Sequence, residues 1–196
     1  MTSVKPKNIF FEDYGARLSN TISETDWSDV AVFAAAVLER WKEKKAVFLC
    51  GNGGSAGNAI HLANDLLYGI SKKTGGGLSV HALSANPAVL TCLANDVGYE
   101  SIYSEQLAVM GKPGDLVVIF SGSGNSPNVI NVLKQAKSMQ IESCAILGFD
   151  GGVCKDLADM TVHFPVDDMQ ISEDLQLIVG HMLMQWLSSN LPEKLD

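Results

Sequence analysis

Ala46-Val47-Phe48-Leu49-Cys50 runs directly into Gly51-Asn52-Gly53-Gly54-Ser55, and a helical stretch opens at about Ala56. The same order recurs further along: Leu116-Val117-Val118-Ile119-Phe120, then Ser121-Gly122-Ser123-Gly124-Asn125-Ser126, then a helix after Pro127. Each short apolar run closed by glycine reads as a buried strand. A Gly-Ser turn between strand and helix suits an anion. Glycine lets backbone N–H groups turn inward, the hydroxyls add donors, and the helix N-terminus adds positive dipole. Neither loop carries a Walker lysine, and the first lacks the third glycine spacing of a dinucleotide fingerprint. One such loop is an ordinary strand exit. Two in one small chain point to a phosphorylated small molecule.

Working outward, strands are expected at 45–50, 78–83, 115–120, 142–147 and 160–164. Helical segments lie between them at about 54–69, 87–94, 99–110, 127–139 and 151–157, and a long final helix covers 170–189. The strands are continuous apolar runs rather than alternating ones, as in a parallel sheet covered on both faces. Strand and helix alternate, which gives a doubly wound α/β fold with ligands at the carboxyl ends of the strands. Two helices precede the first strand, at 8–20 and 25–44. The second is capped by Thr25 or Asp26 and has an apolar face of Trp27, Val30, Val32, Phe33, Ala36, Val37 and Trp41. They either cover the sheet or, since the later helices already suffice for that, serve subunit packing. Residues 1–196 are thus read as one domain, with 1–44 for packing and oligomerisation and 45–190 as the α/β core. Lys72-Lys73-Thr74-Gly75-Gly76-Gly77 is the expected mobile loop, and Leu191 to Asp196 a frayed tail.

Composition narrows the class. Of 196 residues, 46% are hydrophobic and 18% charged, the balance of a globular domain. The formal net charge of -8 leaves no basic footprint for nucleic acid, so an anionic ligand must be held by local dipoles and hydroxyls. Apolar runs are too short to span a bilayer, and no apolar signal core follows the basic residues near Met1. A soluble, cytoplasmic protein is expected. Cys50, Cys92, Cys144 and Cys154 form no CxxC pair and read as small buried hydrophobes.

The string from Cys50 to His61, CGNGGSAGNAIH, strongly resembles the opening motif of the bacterial phosphoheptose isomerases, a family within the sugar isomerase (SIS) domain superfamily. Ala94-Asn95-Asp96-Val97-Gly98-Tyr99, the Ser121–Ser126 loop, Gly148-Phe149-Asp150-Gly151-Gly152 and the final helix with His181 match as well. The resemblance covers essentially the whole chain. It implies a five-stranded parallel sheet flanked by helices, a homotetramer with sites at subunit contacts, and conversion of sedoheptulose 7-phosphate to a heptose phosphate. It assigns the phosphorylated sugar to Ser121, Ser123 and Ser126, with Asn52, Gly53 and Ser55 from the first loop and Asp96 near the sugar hydroxyls. It assigns catalysis to Asp65, where the family has glutamate, and to His181. Some members hold zinc, and the corresponding set here, for one ion per subunit, is His61, Asp65, Glu173 and His181. Glu173 replaces a family glutamine, Gln176 a histidine and Gly69 an arginine. These departures leave two readings: an active aldose–ketose isomerase, or a catalytically inactive phosphosugar-binding or regulatory module of the initiator-associated type.

The chemistry fits the first reading. Isomerisation through an enediol needs a base near carbon, an acid near the carbonyl oxygen and stabilisation of the oxyanion. His61 and Asp65 are four residues apart and share a helix face, and Glu173 and His181 are eight apart, again roughly on one face. Two helices that each offer a carboxylate and an imidazole can converge on a proton-transfer site or on a metal. The plainer alternatives are a local His61–Asp65 pair and a His181 satisfied within an apolar helix. Aspartate also gives up about 1.5 Å of reach relative to glutamate, where a misplacement of about 1 Å can cost on the order of a hundredfold in rate. Gly180 beside His181 suggests close approach of another backbone or a ligand. His81, His163, Trp27, Trp41 and Trp186 read as structural.

Overall fold

The computed structural model describes residues 9–72 and 75–190. The expected tail at 191–196, Asn8 at the start of the first helix, and Lys73 and Thr74 of the glycine loop lie outside the described residues. In chain order the elements are α1 (Ile9–Glu24), α2 (Ser28–Lys42), β1 (Val47–Gly51), α3 (Gly53–Leu67), β2 (Val80–Ala82), α4 (Pro87–Asp96), α5 (Ser104–Met110) and β3 (Leu116–Ser121). There follow α6 (Pro127–Ser138), β4 (Glu142–Leu147), α7 (Gly152–Leu157), β5 (Met160–His163) and α8 (Met169–Ser189).

The strands form one five-stranded sheet in the order β2-β1-β3-β4-β5, and every pairing is parallel. β3, at the centre, and its neighbour β1 are buried along their whole length. Side chains alternate between two cores. Val47, Leu49, Leu116, Val118 and Phe120 face α2, α3 and α8, whereas Phe48, Cys50, Val117 and Ile119 face α5, α6 and α7. Burial on both faces is why these strands read as unbroken apolar runs. From β1 the chain crosses outward to β2, and from β3 it crosses the other way to β4, so a crevice opens between the carboxyl ends of β1 and β3. Both Gly-Ser loops empty into that crevice.

Several elements differ from the sequence reading. The helix expected at 99–110 is broken into a single turn, Tyr99–Ser101, and α5, because Ile102 and Tyr103 turn inward and are buried. At the start of α2, Asp26 accepts a hydrogen bond from the Ser28 N–H (3.0 Å), while the Thr25 hydroxyl donates back to the Thr21 carbonyl (2.7 Å). The two N-terminal helices also part company. α2 buries Phe33, Val37 and Trp41 in the core. α1 buries no residue fully and leaves Ile9, Phe10 and Phe11 exposed. Cys50, Cys144 and Cys154 are buried, and burial pushes their thiols up, Cys154 to about 11. Cys92 is the exception, exposed because α4 has no fully buried face. Trp27 packs edge-on to Phe164 and Trp41 donates to the Gly76 carbonyl (3.0 Å), but Trp186 stands partly exposed. His81 stacks on Phe48, and His163 bonds to the Phe149 carbonyl (3.0 Å).

Candidate active site

The second loop is built to present hydroxyls. Ser121 Oγ accepts from the Gly124 N–H (3.0 Å) and Ser123 Oγ from the Asn125 N–H (3.3 Å), which fixes the turn. Ser126 is the residue that caps α6, yet its side chain makes no capping bond, so its hydroxyl is left for another acceptor or donor. These serines line a small cavity of about 90 Å³ together with Asn52, Ser55 and Glu173. Gly53, at φ +55°, opens α3 on the exposed rim. A wider opening of about 610 Å³ adjoins through Ser123, but Asp150 and Asp167 line it and repel an anion. The smaller cavity carries one carboxylate, Glu173, against two in the wider one.

Glu173 alters the first loop. A Cβ built on Gly54 would lie within 2.6 Å of all three atoms of the Glu173 carboxyl group, so only glycine admits it there. The carboxylate therefore sits over the first turn of α3, where the helix dipole favours negative charge. The positive end of α3 is already answered from within the chain.

One to two turns further along the same helices lies a different cluster. His61 on α3 and His181 on α8 meet with Nε2 atoms 3.0 Å apart, and His61 Nε2 lies 3.4 Å from Asp65 Oδ2. Two imidazole nitrogens at that separation require a proton on one and a lone pair on the other, or a cation between them. The three side chains each bring a ligand atom within 4.8 Å of the others. Two imidazoles and one carboxylate with a free side is the donor set of a catalytic zinc site, so these residues fit such an ion. Glu173 does not join this group. Pointing back over Gly54, it belongs to the anion cavity, and the four-residue metal set read from the sequence is three residues here.

The close approach of α3 and α8 has a specific cause. A Cβ on Gly180 would come 3.1 Å from Leu62 Cδ1, so the glycine makes room for a core leucine of α3 rather than for another backbone or a ligand. Midway, Asn58 Nδ2 donates to the Glu173 carbonyl (2.9 Å) and to Gln176 Oε1 (3.2 Å). Asp96 does not line the cavity of the serine loop. It lies exposed at the end of α4, accepting from Cys92 Sγ (3.4 Å) and Asn95 Nδ2 (2.7 Å). Three residues given no role from sequence converge on Asn52: Asn128, Tyr103, and Tyr99 of the quoted Ala94–Tyr99 string. Asn128 directly follows Ser126-Pro127, but nothing in that string announces a partner 76 residues away.

The SIS domain family model matches residues 10–148. The phosphoheptose isomerase of Chlorobaculum parvum is 35% identical over 178 residues, covering 90% of this chain and 85% of the relative. That of Akkermansia muciniphila is 34% identical over 157 residues, covering 80% and 82%. Among solved structures, a phosphoheptose isomerase from Francisella tularensis superposes with a TM-score of 0.87 at 23% identity, covering 96% of this chain and all of that one. One from Neisseria gonorrhoeae gives 0.82 at 26% identity, covering 92% and 99%. With the family model spanning more than half of its length and relatives at this identity, the chain belongs to the SIS domain family, as a phosphoheptose isomerase-like aldose–ketose isomerase.

Proposed function

We propose that this enzyme interconverts sedoheptulose 7-phosphate and an aldoheptose 7-phosphate by proton transfer through an enediol. The observation that carries the proposal is a separation along two shared helices. Ser55 and Glu173 border the anion cavity, and His61 and His181 follow them by six and eight residues, about 9 and 12 Å along α3 and α8. That is the reach of an extended sugar chain with its phosphate at one end and its carbonyl at the other.

In this reading the phosphate sits on the hydroxyls of Ser121, Ser123 and Ser126. The Asp65 carboxylate takes the proton from the carbon next to the carbonyl, and His181 donates a proton to the carbonyl oxygen. The resulting enediol collapses the other way: the proton on Asp65 goes to the neighbouring carbon, and the other hydroxyl gives its proton back to His181 as the new carbonyl forms. His61, whose Nε2 lies 3.0 Å from His181 Nε2 and 3.4 Å from Asp65 Oδ2, keeps the two groups side by side. The same three donors would hold a zinc ion, which supplies Lewis-acid polarisation of a carbonyl when bound. Reach is the requirement aspartate must meet, and contact with His61 at 3.4 Å keeps its carboxylate at the imidazole pair.

The site is open on the isolated chain. Ile60 and Leu67 of α3, Tyr68 just after it, and Met182 and Trp186 of α8 are exposed on the helices that carry the histidine pair, an apolar rim that suits a second subunit. We infer a homotetramer working in the cytoplasm. No helix among the described residues is long and apolar enough to cross a membrane.

The test is deuterium incorporation from solvent into sedoheptulose 7-phosphate, followed by NMR. Asp65→Asn and His181→Gln should each slow exchange by about a hundredfold or more, the usual size of a general acid–base contribution. Loss of exchange on chelation, restored by zinc, assigns the three donors to the ion. Wild-type protein that binds the sugar yet exchanges nothing, with zinc or without, overturns the proposal.

A further inference from the structure

We propose that Asn128 is a positioning residue: it locks the Asn52 side-chain amide so that one N–H, and not the carbonyl oxygen, is presented to the anion cavity. The inference rests on reading that cavity as the phosphate subsite. Asn128 is 1% exposed and faces Asn52 in a reciprocal amide pair. Asn52 Nδ2 donates to Asn128 Oδ1 (2.9 Å), and Asn128 Nδ2 donates to Asn52 Oδ1 (2.8 Å).

Backbone groups decide which way round the pair is set. The Val129 N–H can only donate, and it donates to Asn128 Oδ1 (3.0 Å), so Oδ1 is the accepting side of Asn128 and Nδ2 faces Asn52. On the other flank the Gly51 carbonyl can only accept, and it takes the Tyr103 hydroxyl proton (2.5 Å). Burial pushes Tyr103 up to about 12, so it remains a neutral donor. With the pair so set by Asn128, the Tyr99 hydroxyl donates to Asn52 Oδ1 (3.1 Å), and the Tyr103 oxygen, its proton on Gly51, lies 3.3 Å from the same atom. Asn52 Oδ1 is thereby occupied on the protein side. One of the two Nδ2 hydrogens is spent on Asn128, and the other has no partner among the described residues.

The consequence is chemical. An amide free to rotate offers an anion either its oxygen or its nitrogen, and the oxygen repels phosphate. With the amide locked, the cavity receives a donor of fixed direction at no cost of reorganisation. Asn128 also joins the two loops physically, since Asn52 leaves β1 and Asn128 opens α6 behind the serine loop.

The test is a double-substitution cycle read by inorganic phosphate binding in calorimetry, on protein whose melting temperature is checked. Asn128→Ala should weaken phosphate binding about tenfold, the scale of one hydrogen bond to a charged group, and less than about twofold when Asn52 is already alanine. With sugar phosphate, KM should rise while kcat stays within about twofold. Should Asn128→Ala not fold, Asn128→Ser, whose hydroxyl can still accept the Val129 N–H, should show the same non-additivity. Equal losses in both backgrounds, or wild-type affinity in both Asn128 variants, overturn the inference alone. Wild-type protein that binds no phosphate overturns the phosphate subsite and this inference with it.

Discussion

Glu173 places a carboxylate in the cavity we propose for phosphate, where the two charges would oppose each other. Glutamine of the same shape would keep the contact over Gly54 without the charge. Glu173→Gln should therefore tighten binding of inorganic phosphate or sugar phosphate by about 1 kcal/mol, roughly fivefold, the scale of two charges a few ångströms apart in a solvated site. Calorimetry at low and high salt checks it, because the gain should shrink as salt screens the repulsion. Unchanged or weaker binding would show that the carboxylate serves the ligand rather than opposing it. At this scale the spacing rules were informative within a helix. His61 and Asp65 are paired as a four-residue separation dictates, and His181 does come to them. What spacing cannot carry is the direction of a long side chain. Glu173 shares a face with His181 on paper, but its carboxylate swings to the dipole of α3 instead of to the imidazoles. Asn128 was illegible for a related reason: its importance lies wholly in a partner on another strand–helix junction.

Between elements, the link that matters most to the site is the one from α1 to the start of α8. Asp168 caps α8 by accepting from the Gln170 and Ile171 N–H groups (3.0 and 3.1 Å), and Arg17 of α1 donates to its other oxygen (2.5 Å). One turn on, Tyr14 donates to Asp174 (2.6 Å), which pushes the phenol up to about 12. The Arg17 hydrogen bond, and next the backbone N–H of Ile171, hold the Asp168 carboxyl below its ordinary value. A carboxyl lowered by folding contributes stability that is present above the unfolded value, about 4, and lost as pH falls through the folded value. Asp168→Asn should thus lower the melting temperature at pH 7, and the deficit relative to wild type should fade as both are titrated into acid through the folded value. A deficit that persists undiminished in acid would remove the charge from the account. Because Met169 and Glu173 border the anion cavity on this first stretch of α8, loosening the cap should also weaken phosphate binding. The elements themselves were readable, since buried parallel strands announce themselves as apolar runs and each strand lies where the pattern put it. The helix at 99–110 was misread because apolar residues at helical spacing look the same whether a helix carries them or a turn folds two of them inward.

For the whole molecule, two of the apolar surfaces exposed among the described residues bear on assembly. One is the rim of Ile60, Leu67, Tyr68, Met182 and Trp186, on or just after the helices that carry the histidine pair. The other is the first turn of α1, where Ile9 and Phe10 are each 70% exposed and Phe11 66%. Patterning showed that the N-terminal segment carried surplus apolar residues, but could not say that α2 would spend its own on the core and α1 would not. Contiguous apolar surface of this kind is covered by self-association when a chain repeats a patch through a symmetry axis. Light scattering at micromolar concentration should give the mass of a tetramer, and Phe10→Glu with Phe11→Glu should shift it to smaller species. Neither residue borders the anion cavity or the histidine pair, so loss of activity in that variant would have to come from loss of assembly. The activity of the variant should accordingly recover with protein concentration, as a wild-type tetramer's would not over the same range. A wild-type monomer at micromolar concentration, active in the exchange assay, would show that one chain holds the complete site and that the exposed surfaces serve something else.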